Sequence, residues 1–175
     1  MEYTKQVKKW DVFEYVCHGS EDGNPFVDYW IKGHFVHAKE AVETDGFYDG
    51  NGTYRVRFMP SFEGVYSFFI EGSGSIQSYK GEFFVVPPEK GNHGPVRVAN
   101  TYHFAYEDGT PYYSIGTTCY VWELQTDELI EKTLNNLKNA HFNKIRFCIW
   151  PKHYDFNLGE PRSYPYEGKP MNSQV

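Results

Sequence analysis

The chain has 175 residues and carries 17 basic against 23 acidic side chains, which gives a formal net charge of −6. This charge argues against a nucleic acid or an anionic membrane surface as the main partner. Hydrophobic residues at 40% and charged residues at 23% are typical of a folded globular protein and exclude disordered and collagen-like chains. A complete (β/α)8 barrel is excluded too, because that fold needs about 250 residues.

Membrane insertion and export are not expected from the sequence. The longest apolar runs, such as residues 142–151, are shorter than the roughly 18 residues of a membrane helix. Residues 1–9 lack the apolar core of a signal peptide, so we expect a soluble, cytoplasmic protein. Cys17, Cys119 and Cys148 are too widely spaced for a disulfide scaffold or a paired zinc site, and we expect them to be reduced.

The first half of the chain alternates apolar and polar residues with the period of two that a half-buried strand requires. In residues 53–59, Tyr54, Val56 and Phe58 share one face. Asp-Gly-Asn-Gly at residues 49–52 joins this strand to residues 46–48 through a tight hairpin turn. Further strands are predicted at residues 10–17, 26–36, 65–70 and 80–86. This spacing, without helical patterns between the strands, predicts an immunoglobulin-like antiparallel β-sandwich.

Aromatic residues are unusually frequent: 15 Tyr, 14 Phe and 4 Trp make up 19% of the chain. Such side chains are enriched in strands and fill sandwich cores, so we expect most of them to be structural. A few are candidates for lining a sugar-binding surface.

A proline-rich segment separates two parts of the sequence. Residues 87–95 contain three prolines and two glycines, which stop a sheet ladder and are typical of a connection between domains. We place the boundary near residue 98. The prediction is therefore a sandwich domain at residues 1–98 and a second domain at residues 99–175.

The second part predicts a short hairpin followed by a strand, a helix and another strand. Residues 102–106 and 112–115 flank a turn with Asp-Gly and Pro signals. Thr126 can cap a helix that has an apolar stripe, and a strand at residues 143–150 follows. The usual crossover makes the two strands parallel neighbours. Because a lone parallel pair cannot bury both faces, we expect a partial segment of a larger α/β domain.

Several segments in a fixed order resemble a known protein family. KWDVFE at residues 9–14, DGNPF at residues 22–26, the run at residues 46–60 and GNHGPVRV at residues 91–98 resemble the N-terminal sandwich domain of unknown function found ahead of bacterial glycoside-hydrolase barrels. Residues 108–118 and FNKIR at residues 142–146 resemble the opening of the apiosidase-like (β/α)8 catalytic domain that follows it. The resemblance extends to about residue 168.

The resemblance implies a hydrolase of plant-derived poly- or oligosaccharides. Its second domain would be the truncated start of a TIM-type barrel. The two catalytic carboxylates of such an enzyme lie at the ends of later barrel strands, which this sequence does not include. Glycosidases need both carboxyl groups, held about 5–5.5 Å or about 6.5–9.5 Å apart. We therefore expect the chain to be inactive alone.

Barrel active sites lie at the carboxyl ends of the strands, so the residues just after Ile115 and Ile149 are the candidates for meeting a sugar. Thr117, Thr118, Tyr120 and Trp122 follow the first of these strands. Aromatic rings can stack on a pyranose, although core packing explains a Trp equally well, and polar side chains can bind hydroxyls or simply form a loop. The predicted substrate-binding residues are Trp122, Trp150, Lys152, His153, Tyr154 and Asp155.

Other chemistries leave weaker patterns in the sequence. An enzyme complete within 175 residues would use Glu123 and Asp155 as its acid and base, because these are the carboxylates that follow the two strands. His34 and His37 are three residues apart on a strand and point to opposite faces, so we expect no metal site. Phosphate-binding and dinucleotide-binding glycine patterns are missing, so we expect no cofactor.

A second function class is left open by the sequence. The chain can instead be a noncatalytic carbohydrate-binding or protein-interaction module that uses an exposed aromatic face of the sandwich. In both cases carbohydrate is the expected ligand. No pattern specifies the sugar, the linkage, a retaining or inverting outcome, or an oligomeric state.

Overall fold

The computed structural model describes residues 1–149 and 158–159. The chain divides into two compact units, Met1–Pro111 and Tyr112–Val175. The prediction of a mostly β protein is confirmed, because strands dominate the described residues. No described helix has the length and apolar character needed to cross a membrane.

Most of unit 1 lies in two sheets. The four-stranded sheet has the order β1-β3-β7-β6 and the five-stranded sheet the order β2-β9-β8-β4-β5. These strands are β1 Glu2–Tyr3, β2 Gln6–Lys8, β3 Phe13–His18, β4 Ile31–His37, β5 Glu40–Asp45, β6 Phe47–Tyr48, β7 Thr53–Phe58, β8 Gly64–Gly72 and β9 Tyr79–Val86.

The inner faces of the two sheets form one core. Phe13 of β3 stacks on Phe83 of β9 with ring centroids 4.2 Å apart, and Phe35 of β4 stacks on Phe58 of β7 at 4.2 Å. Each stacked pair joins the four-stranded sheet to the five-stranded sheet. The alternation predicted for β7 is confirmed, since its apolar side chains belong to this core. Aromatic packing therefore holds the two sheets together.

The predicted strand at residues 26–36 is wrong in its first part. Helix α1 occupies Pro25–Asp28, and the side chain of Asn24 caps it by accepting a hydrogen bond from the Phe26 amide at 3.3 Å. Proline at the first helical position has its φ angle already suited to a helix. The strand β4 begins only at Ile31.

The prediction of a purely antiparallel arrangement also needs a correction. The short strand β2 pairs with β9 in parallel, with Val7 opposite Val85. The strand β5, which was not predicted, pairs antiparallel with β4 at the edge of the same sheet. Its residues alternate between half-buried and exposed, because only one face of an edge strand meets the core.

The proline-rich segment packs against the two-sheet part of unit 1. Asn92 donates a hydrogen bond from Nδ2 to Asp11 at 3.1 Å, and Glu89 forms an ion pair with Lys8. After the segment, β10 Val96–Ala99 pairs antiparallel with β11 His103–Tyr106. The next strand of this small sheet is β12 Pro111–Tyr112, at the boundary of the two units.

Unit 2 contains β13 Gly116–Thr118, a short 3-10 helix Trp122–Leu124, α2 Asp127–Asn139 and β14 Lys144–Arg146. The strands β13 and β14 are parallel, so the strand–helix–strand prediction is confirmed. Thr126 caps α2 as expected, with its hydroxyl accepting from the Leu129 amide at 3.4 Å. The apolar side chains Leu129, Leu134 and Ile149 are 41–64% exposed. The described part of unit 2 therefore leaves much of its apolar surface uncovered.

Candidate functional site

The predicted site lies at the carboxyl ends of β13 and β14. In the parallel register Thr118 lies opposite Arg146, so the two strands end at the same level. Backbone hydrogen bonds continue past these ends, from the Cys119 amide to Arg146 at 2.9 Å and from the Cys148 amide to Tyr120 at 2.8 Å. The loops that follow both strands therefore start side by side.

The positions of the predicted residues differ in part from the expectation. The first strand does not end at Ile115, because β13 occupies Gly116–Thr118. Thr117 and Thr118 are consequently inside the strand, on its two opposite faces, with Thr117 half-buried and Thr118 exposed. Tyr120 and Trp122 do follow the strand.

The remaining predicted residues follow the second strand. Trp150, Lys152, His153, Tyr154 and Asp155 lie outside the described residues. The pairing of Glu123 with Asp155 as acid and base likewise involves a residue outside them.

Trp122 and Glu123 lie on the 3-10 helix between β13 and α2. Trp122 packs edge-on against Phe147 with the ring centroids 6.3 Å apart, so part of its ring has a packing role. The side chain of Gln125 donates a hydrogen bond to the Val121 carbonyl at 3.1 Å and fixes the turn. The turn places two polar side chains next to each other at the predicted site.

These two side chains have unsatisfied hydrogen-bonding groups. The indole Nε1 of Trp122 and both carboxylate oxygens of Glu123 are buried and have no hydrogen-bond partner among the described residues. Leaving a buried polar group without a hydrogen-bond partner costs free energy. One N–H donor and two oxygen acceptors therefore lie beside an aromatic ring without a partner, although none of the three atoms is accessible to solvent.

Histidines of the first unit make no shared ligand set. His34 lies 2.8 Å from Glu71 and 3.3 Å from Glu43, whereas His37 stacks on Tyr66 with centroids 4.8 Å apart. Their partners differ because they point to opposite faces of β4, as the sequence predicted. Among the described residues, no group of three or more His, Cys, Asp or Glu side chains has the geometry to hold a metal ion.

The turn between β11 and β12 contains an ionised carboxylate with several partners. Asp108 lies 2.7 Å from Nδ1 of His93 and accepts a hydrogen bond from the Thr110 amide at 2.9 Å. The His93 hydrogen bond, with the Thr110 amide, lowers the pKa of Asp108 to about 2. The carboxylate thus ties the proline-rich segment to the turn.

This low pKa predicts an acid-dependent loss of stability. An unfolded aspartate has a pKa near 4, so the contribution of Asp108 is fully present above about pH 4 and disappears as the pH falls through about 2. We expect Asp108→Asn to lower the melting temperature above pH 4 and to converge with the wild type near pH 2. Thermal melts at half-unit pH steps measure this. A constant difference at every pH would contradict the assignment.

Two comparisons with known proteins match different lengths of the chain. Residues 6–73 match a family described as a domain of unknown function, DUF5060. Over 94% of its length the chain is similar to a candidate glycoside hydrolase from Bacteroides vulgatus ATCC 8482 with a known crystal structure, at 42% identity and a TM-score of 0.88. The chain spans 32% of that protein. No curated protein is significantly similar to it.

The similarity to the Bacteroides protein extends over both units, because unit 2 is far longer than the unmatched 6% of the chain. The DUF5060 match, in contrast, lies entirely within unit 1. The chain is therefore related to a protein named as a glycoside hydrolase, and part of its unit 1 matches a domain family without an assigned function.

Proposed function

We propose that the chain is the N-terminal part of a glycoside hydrolase that acts on plant-derived poly- or oligosaccharides. The similarity to the Bacteroides vulgatus protein, at 42% identity over 94% of the chain, carries this proposal. Because the chain spans 32% of that protein, the proposal assigns the catalytic carboxylates to the part that the chain does not include. A cytoplasmic location stays a prediction.

In this proposal unit 1 is an accessory immunoglobulin-like sandwich, and unit 2 begins an apiosidase-like (β/α)8 barrel. The parallel pair β13 and β14, connected by α2, has the arrangement of one barrel repeat. The exposed apolar side chains of unit 2 support it too, since further strands and helices of a barrel would cover them. The domain limits 1–98 and 99–175 belong to this proposal.

The buried polar groups on the 3-10 helix have a role in the same proposal. The carboxylate of Glu123 would accept hydrogen bonds from sugar hydroxyls and the indole N–H of Trp122 would donate to them once the turn exposes these buried groups. Both residues follow β13, at the end of the strand where barrel enzymes bind their substrates. Trp150, Lys152, His153, Tyr154 and Asp155 are proposed to contribute from the neighbouring loop.

A second candidate function is a noncatalytic carbohydrate-binding module. A cavity in unit 1 that is lined by aromatic residues, among them Phe26, Trp30 and Phe47, favours it, and the two functions are compatible within one protein.

The test compares the 175-residue chain with the protein encoded when its reading frame is followed past Val175. We expect further βα repeats in that frame and release of reducing sugar from plant oligosaccharides by the longer protein. The chain alone should release none, because it lacks the paired carboxylates that glycosidases use. A stop codon directly after Val175 in the natural gene would overturn the proposal.

The variant Glu123→Gln in the longer protein separates binding from catalysis. If Glu123 only accepts a hydrogen bond from a sugar hydroxyl, its replacement should raise KM and leave kcat within about tenfold of the wild-type value. If Glu123 is a general acid or base, its replacement should instead lower kcat by about 10²–10⁴-fold. The second outcome would move the catalytic site into this chain.

A further inference from the structure

Unit 1 contains a cavity of about 280 Å³ at the point where α1, the start of β4 and the link between β5 and β6 come together. We call it the aromatic cavity. Its aromatic lining residues are Phe26, Tyr29, Trp30, Phe47, Tyr48 and Tyr54.

Three of these rings are partly exposed. Trp30 is 51% exposed, Phe26 46% and Phe47 40%, whereas the rings of the core are almost completely buried. Aromatic surface left in water forgoes about 25 cal/mol for each Å² that could be buried. Three such rings around one concave site are therefore more informative than a single exposed side chain.

The walls of the cavity are held in place before any ligand arrives. The Trp30 amide donates to Oγ of Ser73 at 2.9 Å, and the Ser73 amide donates to the Trp30 carbonyl at 2.9 Å. Phe26 meets Tyr48 edge-on, and Tyr48 packs on the buried Tyr54, with both pairs of centroids 5.1 Å apart. These contacts hold the backbone of Trp30 and the rings of Phe26 and Tyr48, so little conformational entropy is lost at these points when a ligand binds.

The polar groups of the cavity limit the kind of ligand. Asp45 also lines it and forms an ion pair with Lys32, but its side chain is 87% exposed and can still accept hydrogen bonds at the rim. The described lining itself contains no Lys, Arg or His, but two cations contact lining residues: Nζ of Lys32 lies 3.7 Å from Asp45, and the guanidinium of Arg57 lies 5.1 Å from the centre of the Phe47 ring. A ligand with neutral hydroxyl groups fits this arrangement, because a hydroxyl can donate to Asp45 and accept from Lys32.

A pyranose has this combination of surfaces. The C–H groups on one face of the ring pack against an aromatic face, while its hydroxyls point outwards and can donate to a carboxylate. Binding pockets of this kind are mainly aromatic with a few placed polar groups. A cavity of about 280 Å³ is the size of a small-ligand site, whereas a stable protein interface spreads over about 1,200 Å² or more of surface.

We propose that the aromatic cavity binds one or two sugar rings of a neutral oligosaccharide, with Trp30 and Phe47 as the stacking faces and Asp45 as a hydroxyl acceptor. This inference rests on the proposed function in that it takes carbohydrate as the ligand. It assigns a binding site to the unit that contains the match to a domain of unknown function.

The test is isothermal titration calorimetry of the full 175-residue chain with cellohexaose, xylohexaose and mannohexaose. We expect at least one of these sugars to bind, and Trp30→Ala and Phe47→Ala each to weaken that binding about tenfold or more, as expected for central aromatic contacts. Both variants should melt like the wild type, because the side chains are about half exposed.

Phe84→Ala is the matched control. Phe84 is 48% exposed on β9 and does not line the cavity, so its loss should leave the affinity unchanged. No binding of any of the three sugars would overturn the inference. An affinity equal to that of the wild type in both Trp30→Ala and Phe47→Ala would overturn it as well.

Sedimentation of the chain separates the sugar site from a self-association surface. If the chain dimerises through these rings and binds none of the sugars, the inference is wrong. If the longer protein binds sugar at the cavity but has no hydrolase activity, the proposed hydrolase function is wrong and the binding site still holds. Hydrolysis without binding by the cavity would reject only this site.

Discussion

Replacing Phe35 by alanine is expected to lower the free energy of unfolding of unit 1 by about 4 kcal/mol. Phe35 has no exposed surface, stacks on Phe58 at 4.2 Å and meets Phe13 at 5.4 Å. Both partners belong to the opposite sheet, so the substitution leaves a cavity between the sheets. Urea denaturation followed by far-UV circular dichroism measures the change.

Val36→Ala provides the control for this prediction. Val36 is the next residue of β4, points to the outer face and is 50% exposed. Its truncation should change the stability by about 0.5 kcal/mol or less. Similar losses for both variants would mean that the core between the two sheets does not hold unit 1 together. A loss near 4 kcal/mol is a large part of the about 5–15 kcal/mol that stabilises a typical domain.

The parts of the fold that the sequence predicted are those with strong local periodicity. β7 has strict alternation, and its register with β3 places Tyr54, Val56 and Phe58 in the core. The cap and apolar stripe of α2 were equally readable. Hydrophobic periodicity and helix capping depend on residues close together in the sequence, so they can be recognised without knowledge of tertiary contacts.

The missed elements depend on contacts from distant parts of the chain. β2 is three residues long and exists because Gln6, Val7 and Lys8 pair with β9, about 80 residues later. The helix α1 did leave a local signal, in the order of Asn24 and Pro25, but the aromatic residues after them favoured a strand. Short elements are therefore fixed mainly by tertiary context.

The candidate sites show the same division. The positions of Trp122 and Glu123 after a parallel strand were predicted from the barrel rule, and the structure adds that their polar groups are buried. The aromatic cavity was not predicted, since its exposed rings come from α1, from the segment before β4 and from β6. Periodicity assigns a side chain to a face within one element only. It does not bring three elements together around a cavity.

The second large effect is expected at Gly46, where the chain passes from one sheet to the other. Residues 40–45 form β5 in the five-stranded sheet, and β6 at Phe47–Tyr48 belongs to the four-stranded sheet. The Gly46 amide donates to the Ile31 carbonyl at 2.8 Å, so the backbone is fixed at this crossing. A glycine is typical of such a close approach.

Gly46→Ala should therefore destabilise unit 1 by about 3 kcal/mol. An added Cβ would collide with the backbone carbonyl of Arg55 and would lie 2.6 Å from Cγ2 of Ile31 and 2.8 Å from Cγ2 of Val56. A rotamer change cannot relieve the collision with Arg55, because the atom belongs to the main chain of β7. Urea denaturation, with the wild type as reference, measures the loss.

Gly50→Ala distinguishes this collision from the general cost of replacing a glycine. Gly50 has a φ of +85° and no atom within 4 Å of an added Cβ, so only backbone strain of about 1–2 kcal/mol should appear. Equal losses at both positions would mean that the crossing tolerates a side chain. A larger loss of stability at Gly46 than at Gly50 would indicate that the crossing requires a residue without a side chain. Gly46 precedes Phe47 and also lines the aromatic cavity, so the same requirement bears on the position of the Phe47 ring.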